Sequence, residues 1–123
     1  MLVDLLSHLS NSQKVYHKSF LFHDASFCTS VLDILWDQGL IKGYAKLSNK
    51  TLLVHLLYNE GFPLIKYVCV LSKPTQRVYA SRVDLARLSG FVGVTIVSTT
   101  RGIMTLEIAL QLGLGGEVLA YFE

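Results

Sequence analysis

The chain has 123 residues, 51% of them hydrophobic, and a formal net charge of +2. That length suits one compact domain or two small ones, with a core that needs no disulfide or metal staple. The charge alone is too weak to mark a nucleic-acid binder, and a mildly basic soluble domain fits the same balance.

Leu2, Leu5, Leu6 and Leu9 fall at i, i+3, i+4 and i+7. This spacing predicts a short helix with Asp4 in its first turn, ended by "NSQK". Residues 15–22, "VYHKSFLF", read as a strand or an extended link. "DASFCTSVLDILWDQGLI" is the clearest helix. Asp24 or Ser26 can cap it, Phe27, Val31, Ile34 and Leu35 make its apolar stripe with Trp36 beside them, and Gly39 can take the left-handed position at its end. "LIKGYAKL" and "TLLVHLLY", joined by "SNK", predict a hairpin. "NEGFP" is a turn and "LIKYVCVL" a further strand. The order to this point is helix, strand, helix, strand, strand, strand, one small α/β unit.

The composition turns polar at "SKPTQRVYA", where Pro74 disrupts strand pairing. The domain boundary is expected between residues 62 and 72. "SRVDLARLSG" reads as a connecting segment or a short turn of helix. "FVGVTIVST" is a strand, "MTLEIALQLG" a helix starting near Met104 or Thr105 with Gly113 beyond its end, and "GEVLAYF" a closing strand. The fold class expected is α+β in two small α/β subdomains. Residues 1–66 form an N-terminal unit of order α-β-α-β-β, and residues 67–123 a C-terminal unit, mainly β with one short helix.

Most catalytic chemistry is excluded. Ser98 is not in a G-x-S-x-G elbow, and no histidine follows it, so a triad would need His55 or an earlier one. The carboxylates form no close pair for acid and base roles. The glycines of "GLGG", 113–116, follow a helix instead of opening one, so Gly113 ends the helix and Gly115 and Gly116 turn into the last strand. His8, His17, His23 and His55 lack metal-ligand spacing, and no metal or cofactor is expected. Cys28 and Cys69 are expected as buried free thiols. The apolar runs fall well short of the ~18 residues of a membrane span. "MLVDLLSHLSNSQK" is neither a signal peptide nor an Arg-rich transit peptide, so in an organelle the chain would be made there or would have lost a presequence.

The row Ser98-Thr99-Thr100-Arg101-Gly102 carries two readings. In one, Thr100 or Thr105 caps the next helix and the other hydroxyls sit on a strand end. In the other, three hydroxyls with backbone N–H groups beside a helix start suit phosphates and 2′-hydroxyls, and Arg101 pairs with phosphate or stacks on a base. Between Lys66 and Arg101 the bases are Lys66, Lys73, Arg77, Arg82, Arg87 and Arg101, and the only acid is Asp84. A strand over "QRVYA" would put Arg77 and Tyr79 on one face, a pair suited to RNA, although a core tyrosine is nearly as common.

"GVTIVSTTRGIMT…A…LGLGGEVLAYF" is similar to the C-terminal signature of small-subunit ribosomal protein eight in its bacterial and organellar form. That pattern is a glycine, three hydrophobic residues, Ser-Thr-Ser-Lys-Gly, a hydrophobic residue and Met-Thr, then a helix, Gly-Gly-Glu and a last strand. "LSKPTQRVY" resembles the family's Ser-Arg-Pro-x-x-Arg-hydrophobic-Tyr, and "DLLSHLSN" and "LDILWDQGLI" match in position. The resemblance implies a non-enzymatic structural protein that binds the central domain of small-subunit ribosomal RNA and supports assembly and translation beside neighbouring ribosomal proteins. It implies that Ser98, Thr99, Thr100, Arg101 and Gly102 meet an RNA helix, that Glu117 helps to hold or complement their loop, that Lys73, Arg77 and Tyr79 line the neighbouring backbone, and that Asn11 faces RNA from the first helix. Thr100 and Arg101 stand where the family has Ser and Lys. His8 and Ser10 stand where the bacterial pattern has arginines, which points to an organellar, mitochondrial ribosome, with a plastid or the bacterial cytoplasm as alternatives. A non-catalytic protein-interaction domain of the same fold with weakened RNA binding is the competing reading.

Overall fold

The computed structural model describes residues 2–23, 26–48, 50–72, 76–88 and 93–123. Among the described residues are four helices and ten strands, and the chain splits into two compact units, Met1–Lys66 and Tyr67–Glu123. The fold is mixed α+β with antiparallel sheets.

The first unit is a three-stranded sheet with two helices. Helix α1 spans Leu2–Lys14, strand β1 Ser19–His23, helix α2 Ser26–Asp37, β2 Ile41–Lys46 and β3 Thr51–Leu56. The strand order is β1-β3-β2, so β3 sits in the middle. Its alternate residues Leu52, Val54 and Leu56 are buried, with Phe20 and Phe22 facing them from β1. Leu5, Leu6, Leu9, Val31, Leu32, Leu35 and Ile41 complete the core. Each apolar stripe buries because water gains by releasing it, at about 25 cal/mol per Å². Trp36 departs from the expected stripe. It lies half exposed against the ring of Tyr44, while Leu32 takes the buried position. Asp24 lies outside the described residues.

"NSQK" does not end α1. It forms the last turn, with Ser12 and Gln13 buried. The helix stops at Tyr16, whose φ is 58°. His17 N–H donates to the Ser12 carbonyl at 3.0 Å and Tyr16 N–H to that of Gln13 at 3.1 Å. This is the Schellman closure, with tyrosine where glycine is usual. Helix α2 closes the same way at Gly39, φ 73°, as Leu40 N–H reaches the Leu35 carbonyl at 2.9 Å. A side chain at positive φ is strained. Here the Tyr16 ring stacks on Tyr58, centroids 5.7 Å apart, and the Tyr58 hydroxyl donates to the His17 carbonyl. Burial and the neighbouring Tyr16 push the Tyr58 phenol above its ordinary value. Residues 15–18 are therefore a turn, and the strand begins at Ser19. "NEGFP" makes a small hairpin, β4 Tyr58–Asn59 with β5 Phe62–Pro63, around Glu60 and Gly61, both at positive φ.

The second unit contains β6 Val68–Val70, β7 Tyr79–Ala80, helix α3 Arg82–Leu88, β8 Val94–Thr99, β9 Gly102–Thr105, helix α4 Leu106–Leu112 and β10 Gly116–Phe122. The sheet order is β6-β10-β8-β9, and β7 also pairs with β10. The strand expected over "LIKYVCVL" is thus shorter, and it joins this sheet, not that of the first unit. Two helices, not one, pack here. Val97, Met104 and Val118 on the sheet meet Leu85 of α3 and Leu106 and Ala109 of α4 in one cluster. Helix α3 carries a capping box. Ser81 N–H donates to the Asp84 carboxylate at 3.3 Å, and Asp84 N–H donates to the Ser81 hydroxyl at 3.3 Å. Of the two readings of "SRVDLARLSG", connecting segment or short turn of helix, the helix is the one found, because "SRVD" satisfies its first orphan donors.

Strand β9 was not expected from the sequence. It pairs with β8 from Ile96↔Thr105 to Thr99↔Gly102, so "STTRG" is a hairpin and not a helix start. Thr105 holds the N-cap position of α4 without a side-chain cap bond, and Gly113 ends α4 at φ 71°.

A buried serine ties the segment before β7 to β10. Ser72 Oγ donates to the Val118 carbonyl at 2.6 Å and accepts the Val78 N–H at 2.9 Å. A register shift between Val118 and Ala120 marks a bulge, and the Leu119 carbonyl there accepts Leu71 N–H at 3.0 Å.

In urea unfolding, Ser72→Ala is expected to lose about 1–3 kcal/mol, because the Val78 N–H is left without its partner. Tyr16→Ala keeps the strained φ and loses the ring stack, an expected cost of about 1–2 kcal/mol. Tyr16→Gly relieves the strain and is expected to cost less than Tyr16→Ala, as read from the same titrations.

Candidate nucleic-acid interface

The β8–β9 hairpin builds the tip of the site. Thr100 and Arg101 form its turn. Only Tyr16 and Glu60 have positive φ among described non-glycine residues, so both turn residues have negative φ. Such a turn twists against the strands, and Gly102 corrects this at φ 114°. Thr99 locks the tip. Its hydroxyl donates to the Gly102 carbonyl at 2.9 Å and accepts Arg101 N–H at 3.2 Å.

The hydroxyl row is therefore not one donor surface. Alternate residues on a strand take opposite faces. Thr99 shares the side of Val97 and lies 3.8 Å from the Met104 sulfur, at the rim of the core. Ser98 faces the other way. Thr100 and Arg101 are exposed at the tip. No described carboxylate pairs with Arg101.

On the face of Ser98, direct strand pairing makes a row. Ser98 is opposite Glu117 of β10, and Glu117 is opposite Tyr79 of β7. Cross-strand partners of this kind have neighbouring side chains. Tyr79 is 72% exposed, so it is not a core tyrosine. Arg77 precedes β7, and strand alternation does not place it. Its Nη1 lies 3.2 Å from Glu117 Oε2, with the two side chains 51% and 17% exposed. Glu117 thus brings together Arg77, Tyr79 and Ser98.

Gly116 makes the row possible. A Cβ built there would overlap the Ser98 carbonyl oxygen. Gly115 is similarly tight, with the Ala80 carbonyl 2.8 Å from a built Cβ. These glycines do more than turn the chain, because they let β10 lie flush between β7 and β8.

Asn11 is exposed on α1 of the first unit. Lys73 and Pro74 lie outside the described residues. His8, on α1, is exposed, with its ring stacked on Phe20 at 6.2 Å and edge-on to Phe22 at 5.6 Å. Ser72, which anchors the segment leading to Arg77 and Tyr79, was missed as a positioning residue. A small hydroxyl in an apolar stretch has no signal of its own. The other perturbed phenol, Tyr67, is raised by its hydrogen bond with Cys69. It packs against Tyr121, at the far end of β10 from Glu117. Among the described residues no cluster of His, Cys, Asp or Glu could hold a metal, and no helix is long and apolar enough to cross a membrane.

The family model described as ribosomal protein S8 matches residues 1–122. The chain is 39% identical over 120 residues to small ribosomal subunit protein uS8 of Rhizorhabdus wittichii, covering 95% of this chain and 92% of that one. It is 34% identical to the uS8 protein of Shewanella denitrificans, covering 98% and 94% of the two chains. The protein named small ribosomal subunit protein uS8c of Rhodomonas salina is 34% identical, with 98% and 95% covered. Over nearly its whole length, then, the chain belongs to the ribosomal protein S8 family, whose members are structural ribosomal proteins and not enzymes.

Proposed function

We propose that this chain is a structural constituent of the small ribosomal subunit, with small-subunit rRNA and neighbouring ribosomal proteins as its partners. In this reading it binds the central domain of that RNA and supports its assembly. The second unit is the main RNA reader. Ser98, Thr99, Thr100, Arg101 and Gly102 form the hairpin that meets an RNA helix, and Glu117, Arg77 and Tyr79 line the adjoining surface, with Lys73 and Asn11 as further RNA contacts.

One observation carries the reading. A rigid hairpin presents Arg101, with no described acid to neutralise it, beside a polar row that ends in an exposed tyrosine. An unpaired guanidinium suits phosphate, hydroxyls suit 2′-OH and phosphate oxygens, and an exposed phenol ring suits a base or ribose. The three roles differ. Arg101 and Ser98 act as donors, Tyr79 supplies a stacking surface, and Thr99 and Gly102 act by holding the turn.

The two units have the same formal net charge of +1, six bases against five acids in the first and five against four in the second. His8 packs on the aromatic rings of β1 where the bacterial pattern has an arginine. This supports an organellar ribosome, and we infer the mitochondrial one. Ribosome fractionation is expected to place the protein there. Recovery in a plastid or a bacterial small subunit would correct that assignment, and relatives of both bacterial and chloroplast type are among its matches.

Crosslinking with sequencing of the attached RNA is expected to join residues 98–102 to one small-subunit rRNA junction. Crosslinks to proteins alone would favour an interaction domain of the same fold. With that junction as ligand, Arg101→Ala is expected to weaken binding and to flatten the log-log salt dependence by about one unit. Ser98→Ala is expected to cost about 1 kcal/mol of binding. Tyr79→Ala is expected to lose about 1–3 kcal/mol, and Tyr79→Phe much less, if a base stacks there. Equilibrium titrations across a salt series check all three.

A further inference from the structure

Glu117 poses a problem for any surface that meets phosphate. It is the carboxylate at the centre of the polar row, between Tyr79 and Ser98. Its side chain is only 17% exposed, so water does not fully screen it. The other described acids of the unit lie elsewhere. Asp84 is engaged in the cap of α3, Glu107 is in the first turn of α4, and Glu123 follows β10. A carboxylate at this place repels RNA, yet it holds Arg77 at 3.2 Å.

The two arginines of the surface are therefore in different states. Arg101, at the hairpin tip, has no described acidic partner. Arg77 is 51% exposed and already paired. A phosphate can claim Arg101 at once. To claim Arg77 it must displace a partly buried carboxylate and then lie beside that negative charge. A poorly fitting RNA has no other contacts to offset this. An RNA that also fills the row from Ser98 to Tyr79 does.

We propose that Glu117 is a specificity-determining residue that acts through Arg77. It withholds the Arg77 guanidinium from phosphates of non-matching RNA and releases it only to an RNA that engages the whole row. This rests on the RNA-binding role proposed above. Glu117 is a positioning residue in this scheme, and the selectivity lies in the exchange of one partner of Arg77 for another.

The test uses the full chain with two probes, the small-subunit rRNA junction of the same ribosome and a random-sequence RNA duplex of equal length. Binding is measured across a salt series for the parent, Glu117→Gln, Arg77→Gln, and the double variant. Glu117→Gln is expected to bind the random duplex several-fold more tightly, with a slope steeper by about one unit, as one more cation becomes available to phosphate. Arg77→Gln alone is expected to leave the slope on the random duplex unchanged and to flatten it on the junction. In the double variant the gain on the random duplex is expected to vanish, because no guanidinium remains to be released. A merely structural role for Glu117 would weaken both RNAs alike and would lower the unfolding midpoint.

An unchanged slope for Glu117→Gln on the random duplex, with the fold intact by circular dichroism, would overturn the proposal. So would a gain that survives in the double variant, since it would then be a general charge effect. If Glu117→Gln fails to fold, Arg77→Gln decides alone, and equal flattening on both RNAs counts against the lock. Should the parent bind neither RNA in a salt-dependent way, the RNA-binding role itself falls and the lock with it.

Discussion

Strand β10 is the constraint on which the second unit depends. It pairs with β8 along one edge and with both β6 and β7 along the other. No side chain of β8 or β7 could reach the others without it. The close approach at Gly116 fixes the spacing on one side, and Ser72 fixes it on the other, through the carbonyl of Val118. Buried backbone groups need partners, and this strand has two full sides of them. At the bulge the Leu119 carbonyl accepts the N–H groups of Leu71 and Ser72, and the Ser72 hydroxyl accepts that of Val78.

That arrangement separates two tasks. One face of the sheet is committed to packing, where Val97, Met104 and Val118 meet the helices. The opposite face carries Tyr79, Glu117 and Ser98 at one end and buries Ile96 at the other. The period of two along each strand keeps the tasks apart, since moving the register by one residue would exchange them. A protein of modest charge can in this way place a few polar groups accurately, instead of relying on a broad basic surface.

Much of this could be read in the amino acids. The leucines of α1, the alternation of β3 and the glycines that end α2 and α4 follow from helix and strand periods and from backbone freedom. What stayed hidden has physical reasons. Tyr16 ends α1 by a backbone geometry that tyrosine rarely adopts, so the polar "NSQK" looked like the stop. Strand β9 has four residues, opens with a glycine and runs into a helix, and its turn holds no residue at positive φ inside the loop. The capping box of α3 was present as "SRVD" but short. The candidate site was legible as a set of residues and not as an arrangement. Arg77 and Tyr79 seemed to be joined by strand alternation, whereas they meet at Glu117, and only the register of β10 supplies that meeting.

The chain order of the sheet has a consequence for how the unit forms. All of β10's partners precede it in the chain, and its pairings with β6 and β7 close loops of tens of residues. Such contacts form late, because chain entropy is lost before they return anything. The β8–β9 hairpin, closed by its own short turn, can form early and locally. During synthesis the hairpin would thus exist before the surface beside it, which waits for one last strand. In the native state the amides of β6 and of the β10-facing edge of β8 should open together and not strand by strand, since a single separation frees them all.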